Sequence, residues 1–316
     1  MKISVKVPAT TANIGPGFDC LGMALPIYNT VTIEETVLPG TGVEINVLAD
    51  SASIDELELE HIPSDENSLV YKAVEALYNS IGQVPGELKI TVKSSIPVAK
   101  GLGSSASVII GALVAANELL GHPADEPALL SIACELEGHP DNITPALVGG
   151  LVISSQEEDG SVLYRKLEWP QEWAVTACVP DFELSTDIAR SVLPKEVALS
   201  DAVFNVQRMA MFIQAVHTKD TELMKSALQD KLHQPYRMKL IQGFDKIYEG
   251  LRFNENVLGC VISGAGSSIL IISLRNDLEK IKDTVKETWA DMNIKANIKT
   301  LNVEQNGALI ISDDED

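Results

Sequence analysis

Pro97-Val98-Ala99-Lys100-Gly101-Leu102-Gly103-Ser104-Ser105-Ala106-Ser107 is the stretch on which the rest of the sequence turns. Ahead of it, Leu88, Ile90 and Val92 alternate with Lys89, Thr91 and Lys93, the two-residue period of a half-buried strand. Behind it, residues 107–120 are almost wholly apolar or small, with Asn117 and Glu118 the only long polar groups, and they read as a helix buried on most sides. Gly121 and Pro123 end that helix. A glycine-serine loop between a strand and a helix has a definite chemical use. Without a Cβ in the way, main-chain N–H groups can turn toward one point, and the first helical turn adds donors that lack partners. The helix dipole favours negative charge at the same end. Serine hydroxyls can donate to phosphate oxygens or ligate a divalent cation. Residues 101–107 are therefore expected to wrap phosphate. A serine-capped flexible turn is the plain alternative, but it does not explain why so many donors crowd against a buried helix. Neither G-x-x-x-x-G-K-[ST] nor a complete G-x-G-x-x-G is present, so the scaffold is neither a Walker A loop nor a dinucleotide fold.

Outward from the loop, strands and helices mix throughout. Residues 2–7, 29–34 and 43–47 alternate like strands; the acidic stretch 50–66 lacks a period and reads as a surface excursion. Helical spacing predicts helices over 67–79 and 126–137, with a turn at 138–142. Strands are expected over 147–155, 162–167 and 173–179, followed by helices over 203–217, 221–232 and 237–248. Strands over 257–263 and 268–273, an amphipathic helix through Leu278, Ile281, Val285 and Trp289, and final strands at 294–301 and 308–311 complete the chain, with 313–316 a solvated acidic tail. The order suggests an α+β protein with helices layered on antiparallel or mixed sheets, divided near residue 155 into parts 1–155 and 156–316.

Two further clusters of small and polar residues accompany the loop. The first, 8–19, includes Asn13, which both donates and accepts hydrogen bonds, and Asp19, which only accepts when ionised. That pair suits an ammonium or hydroxyl, or serves as turn caps. The second, Ser263-Gly264-Ala265-Gly266-Ser267-Ser268, holds more small residues than a hairpin needs, which points to close approach of a ligand or of the central loop.

Bulk properties narrow the partners. With 316 residues, 45% apolar and 22% charged, the chain can bury a large core. A formal net charge of -21 opposes non-specific binding to nucleic acid or an anionic membrane. The N-terminus shows no apolar signal or membrane segment, and the scattered cysteines Cys20, Cys134, Cys178 and Cys260 fit a reducing, cytoplasmic setting.

In order and wording, the three clusters resemble the GHMP kinases, the superfamily of galacto-, homoserine, mevalonate and phosphomevalonate kinases. Pro97 through Ala106 is similar to the family's central P-x-x-x-G-L-G-S-S-A signature. Within the superfamily the homoserine kinases are nearest, through Pro8-Ala9-Thr10, Asn13 to Asp19, and Glu137-Gly138-His139-Pro140-Asp141-Asn142. This resemblance implies a two-domain fold, with a left-handed β-α-β unit in the first domain and a ferredoxin-like second domain. It implies ATP and Mg²⁺ as cofactors, L-homoserine as acceptor and a homodimer as the candidate assembly. It also implies residue roles. Pro97 to Ser107, with Gly264 and Gly266, would hold the nucleotide; Ser105 and Glu135 would hold Mg²⁺, with Glu137 the alternative; Asn142 would stand near the reacting hydroxyl. Asn13, Asp19 and His139 would hold the amino and hydroxyl end, and Arg190 and Arg237 the carboxylate. Asn142 cannot act as a base, so direct attack is expected, with Asn142 orienting the hydroxyl and the proton leaving to phosphate or water; Asp141 is a candidate base if it points inward. Another GHMP small-molecule kinase, or a non-catalytic nucleotide-sensing relative, are the competing readings.

Overall fold

Alternation at the N-terminus carries further than residue 7. In the computed structural model, which describes residues 1–35, 42–51, 54, 59 and 62–311, strand β1 runs Lys2–Asn13 and pairs antiparallel with β2, Gly17–Glu35. Ala9, Thr10, Thr11 and Ala12 are fully buried, and small or β-branched side chains at these positions suit a pleated, covered surface. The first polar cluster is thus mostly strand, and this places Thr10 and Asn13 at fixed positions. Residues 52–53, 55–58 and 60–61 of the acidic stretch, and the tail 313–316, lie outside the described residues.

The first sheet has the order β11-β1-β2-β4-β3, with β5 paired to β2 and β6 to β5. Strands β3 (Val43–Ala49) and β4 (Leu88–Ser94) are parallel, and helix α1 (Leu69–Ser80) lies in the crossover between them. Helix α2 (Ser104–Leu119) packs on β1, β2 and α1, and its mostly apolar circumference matches burial of ten of its residues. Helix α3 (Glu126–Glu137) starts where the Asp125 side chain accepts from the Ala128 N–H. The expected turn at 138–142 is instead the start of helix α4 (Pro140–Val148): Pro140 occupies its first position, where a missing N–H costs nothing. Strand β5 is Leu151–Gln156 and β6 is Val162–Leu167. Residue 155 falls near the end of β5, so this sheet holds chain on both sides of it. The final strand β11 (Leu309–Ile311) also returns to it, beside β1.

The second sheet has the order β10-β7-β9-β8, antiparallel throughout, from β7 (Trp173–Pro180), β8 (Val257–Ile262), β9 (Ile269–Leu274) and β10 (Ala296–Leu301). Helix α10 (Leu278–Ala290) joins β9 to β10. A helical region between β7 and β8 completes a β-α-β-β-α-β arrangement with the last strand beside the first, the ferredoxin-like pattern. That region holds α5 (Thr186–Ser191), α6 (Leu199–Thr218), α7 (Thr221–Ala227), α8 (Gln234–Arg237) and α9 (Phe244–Leu251). Two of the expected helices are cut short. The Asp230 carboxylate accepts from the N–H groups of Leu232, His233 and Gln234, a local alternative that ends α7 early. Gly243, at φ +80°, separates α9 from α8 and its short 3₁₀ continuation; a Cβ there would stand 2.9 Å from Met292 Sδ.

Three apolar clusters hold the layers. One lies between the first sheet and α1–α4, and one between the second sheet and α9–α10. The third joins Leu21, Met23 and Leu25 of β2 to Trp173, Phe212, Leu258 and Leu270, so the two sheets share a core. No helix among the described residues is long and apolar enough to cross a membrane.

Asn29 links this scaffold to the loop. Fully buried on β2, it accepts from the Ser95 and Ile96 N–H groups at 2.9 and 3.0 Å and donates to Ser107 Oγ at 2.9 Å. Replacing it by an apolar isostere strands the buried Ile96 N–H and the half-buried Ser95 N–H. Asn29→Leu should lower unfolding free energy in urea by about 3 kcal/mol, whereas Asn67→Ala, on the surface, should change it by less than about 0.5 kcal/mol.

Candidate active site

Gly103 begins α2 with a left-handed φ of +68°, and Gly101 sits at +73°. Both conformations are ones that side chains resist, and both positions are also tight. A Cβ on Gly101 would lie 2.2 Å from the Ser263 carbonyl oxygen, and one on Gly103 would lie 1.9 Å from Thr10 Oγ1. The early and late clusters therefore press on the central loop. The Thr10 N–H donates to the Leu102 carbonyl at 3.0 Å, and the Ser268 N–H to the Lys100 carbonyl at 3.2 Å. Ser263 Oγ donates to the Gly101 carbonyl at 2.6 Å, and the Gly264 N–H donates to the Ala12 carbonyl at 3.0 Å. The carbonyls of Lys100, Gly101 and Leu102 are thus engaged by protein, and Gly103, Ser104 and Ser105 at the start of α2 line a cavity.

That cavity, about 300 Å³, is lined by Pro97 to Ser105 along one wall. Its apolar end is made by Val47, Leu69, Val70, Val92 and Val108, a surface suited to a flat ring. Gly264 lines it too. Ala106, Ser107 and Gly266 do not. Ala106 has already turned into the core below α2, Ser107 Oγ donates to the Ser104 carbonyl, and Gly266 packs against Ile241 and Leu184. These three support the loop from behind.

The opposite end collects charge. Arg190, on α5, makes a two-pronged ion pair with Asp19 at 2.9 and 3.2 Å. Arg237, on α8, is 1% exposed and donates from Nε to the Ala189 carbonyl at 3.2 Å and from Nη1 to the Gly264 carbonyl at 3.1 Å. Burial, and next the Arg190 charge, lower its pKa, although it stays a cation at any ordinary pH. Asn13 is committed at both ends of its amide: Nδ2 donates to the Gly264 carbonyl at 2.8 Å and Oδ1 accepts from the Asp19 N–H at 2.9 Å. One N–H and one lone pair remain for a ligand. His139 leads into α4, with Nδ1 hydrogen-bonded to Asp141 Oδ1. Burial works against a charge on this ring, but the Asp141 hydrogen bond and carboxylate, with Asp19 and Glu137 near, outweigh it and push its pKa up. The ligating atoms of Asp19, His139 and Asp141 all lie within 4.8 Å of one another. Asn142 Oδ1 accepts from Thr10 Oγ1 at 2.8 Å, which orients its amide.

Of the two glutamates that the sequence leaves open, one stands beside the loop. The carboxylate beside Ser105 is Glu137: Ser105 Oγ stands 2.8 and 3.0 Å from its two oxygens, and Glu137 lines the cavity. Glu135 is exposed and does not line it. Two residues on a helix separate side chains by roughly 200°, so both cannot face the loop. Desolvation raises the Glu137 pKa, against the lowering effect of the Ser105 hydrogen bond. Thr10 and Phe18 carried no separate signal, because each belongs to a strand whose neighbours are known only from pairing.

A glycine-serine loop lines one end of the cavity and two guanidinium groups the other, an arrangement compatible with a small-molecule kinase. The chain matches the family described as GHMP kinases N terminal domain over residues 68–150, and that described as GHMP kinases C terminal over 212–291. It is 41% identical to the homoserine kinase of Caldicellulosiruptor saccharolyticus over 312 residues, covering 98% of this chain and 97% of the relative. It is 38% identical to that of Crocosphaera subtropica over 306 residues, covering 97% and 96%. The crystal structure of homoserine kinase from Cytophaga hutchinsonii superposes with a TM-score of 0.86 at 30% identity, covering 98% of this chain and 97% of that one. The chain belongs to the GHMP kinases, in their homoserine kinase branch, and is an ATP-dependent small-molecule kinase.

Gly103 offers a direct test of the loop. A left-handed φ costs an L-residue roughly 1–2 kcal/mol, and the Thr10 contact adds more. Gly103→Ala should lower kcat/KM for ATP by about 100-fold or more, measured by coupled ADP release, while far-ultraviolet circular dichroism stays unchanged.

Proposed function

We propose that the chain transfers the γ-phosphoryl group of ATP to the side-chain hydroxyl of L-homoserine, giving O-phospho-L-homoserine and ADP, a step of threonine biosynthesis. One observation carries this reading. A single cavity joins the amide-rich loop at 101–105 to an end that holds Arg190, Arg237, Asp19 and His139. The first end suits polyphosphate; the second suits a zwitterion, with guanidinium groups for its carboxylate and the acidic cluster around Asp19 for its ammonium. The homoserine kinases that match nearly the whole chain support the same acceptor.

In the transfer, the acceptor oxygen bonds to the γ-phosphorus as the bond to the β-phosphate bridging oxygen breaks. Such a step is mostly positioning and neutralisation of charge on the equatorial oxygens. The α2 amides and helix dipole supply part of that neutralisation. Asn142, oriented by Thr10, would direct the hydroxyl through its Nδ2 group. Asp141, the candidate base beside Asn142, does not line the cavity: it is buried and its Oδ1 is taken by His139. The attack is therefore direct, with the hydroxyl proton passing to phosphate or water.

Magnesium fits the residues present. Ser105 Oγ and the Glu137 carboxylate are hard oxygen donors side by side at the rim of the loop, the donor type this ion takes. They would hold it, and when bound it would neutralise the β- and γ-phosphate oxygens. ATP use, four free cysteines and the high acidic charge support work in the cytoplasm.

Incubation with ATP and, in turn, homoserine, threonine, serine, mevalonate, shikimate and galactose tests the acceptor. ADP release should be fastest with homoserine by kcat/KM, and ³¹P resonance should show a phosphomonoester. Fastest turnover with mevalonate or a sugar would end this reading. Glu137→Gln should cut kcat about 100-fold and raise the magnesium needed, with Glu135→Gln near wild type. Asp141→Asn should cost less than about 100-fold in kcat; a loss of about 1,000-fold or more with KM unchanged would make Asp141 the base.

A further inference from the structure

Two guanidinium groups stand on one aromatic ring. The Cζ atoms of Arg190 and Arg237 lie 5.7 and 5.1 Å from the centroid of Phe18. Both distances fall where the negative face of a ring attracts a cation. Like charges this close repel each other, and the protein answers that repulsion unevenly. Arg190 has the Asp19 carboxylate, but among the described residues no carboxylate forms an ion pair with Arg237, whose Nε and Nη1 groups donate to carbonyl oxygens. The Phe18 ring lies against both cations.

The ring is itself held. His233 stacks on Phe18 at 5.3 Å with 22° between the planes, and is fully buried with Nε2 2.8 Å from the Gly15 carbonyl oxygen. Burial lowers the His233 pKa, so a neutral ring, not a third cation, backs the platform near neutral pH. Gly17 and Asp19 bracket Phe18: a Cβ on Gly17 would lie 2.4 Å from Leu21 Cβ, and Asp19 sits at φ +52°. The backbone here has little freedom to carry the ring elsewhere.

We infer that Phe18 is a positioning and specificity-determining residue, whose face holds the Arg190 and Arg237 guanidinium groups together so that they meet one carboxylate of the acceptor. This rests on the reading of the acceptor as an amino acid. Phe18 does not itself line the cavity, whereas Arg190 and Arg237 do, so its effect should fall on the acceptor through the two arginines and spare the nucleotide. An acceptor without a carboxylate draws no benefit from the paired arginines, so the ring also contributes to choice among alcohols.

Steady-state kinetics of wild type, Phe18→Leu and Phe18→Tyr, with homoserine and ATP each varied, test the inference. Phe18→Leu keeps an apolar side chain and removes the ring face; KM for homoserine should rise about tenfold, with KM for ATP and kcat within about twofold. Phe18→Tyr keeps the face and should stay within about twofold of wild type. Should the leucine variant fail to fold, pentafluorophenylalanine at position 18 keeps the ring size but reverses the charge of its face, and carries the same expected rise. An unchanged homoserine KM in the ring-deleted or fluorinated protein overturns the inference. So does a joint change in kcat, both KM values and the thermal midpoint, the mark of a merely structural role. Absence of homoserine turnover by wild type strikes the acceptor reading instead, which keeps the two failures apart.

Discussion

Main chain meets main chain at the centre of this protein, and the rest of the site depends on that contact. The carbonyls of Lys100, Gly101 and Leu102 are engaged by Ser268, Ser263 and Thr10, residues drawn from opposite ends of the chain. Such an approach requires glycine at the closest points, because a Cβ on Gly101 or Gly103 would stand about where another segment's oxygen already is. Once the carbonyls are engaged from behind, the amides at the start of α2 have no choice of direction. The loop is thus pre-shaped by its neighbours, and in the proposed role little conformational entropy would remain to be lost when an anion arrives.

The same arrangement reconciles an acidic molecule with two anionic ligand groups. A chain with net charge -21 repels ATP and a carboxylate at long range. Inside the cavity the balance differs, because helix-terminal amides carry partial positive charge, Lys100 lines the same wall, and Arg190 and Arg237 concentrate scarce cations at one spot. Asp19 and Asp141 stand within reach of His139 beside them, so the acceptor end offers both signs of charge. In a medium of low dielectric, a ligand that matches only one sign leaves the other unpaired, and this is a stronger filter than shape.

The shared core explains how distant segments keep this geometry. Leu21, Met23 and Leu25 of the first sheet pack with Trp173, Leu258 and Leu270 of the second, and β11 returns to β1. The turn after β8, which carries Ser263 and Gly264, is therefore fixed relative to β1, which carries Thr10 and Asn13. Asn29 adds a polar tie between β2, the segment after β4, and α2. Few places at the site depend on a single element.

Local pattern alone determined much of this. The period of Leu88, Ile90 and Val92 marked β4, the apolar run after Ser107 marked α2, and the glycines and serines between them marked a tight loop, because backbone freedom and side-chain period are properties of neighbouring residues. Resemblance in the three motifs supplied the family, and the arginines with it. What stayed hidden was any fact about a partner far along the chain. Helical phase relative to the loop decided for Glu137 over Glu135; Asp230 captured three amides and ended α7 early; Pro140 opened a helix where a turn was expected. Thr10 on Asn142 and Phe18 beneath two guanidinium groups are of the same kind. Residues 132 apart acquire a relation only when sheets and helices dock, since the free energy that joins them comes from burying both at once, and no local preference of either residue encodes it.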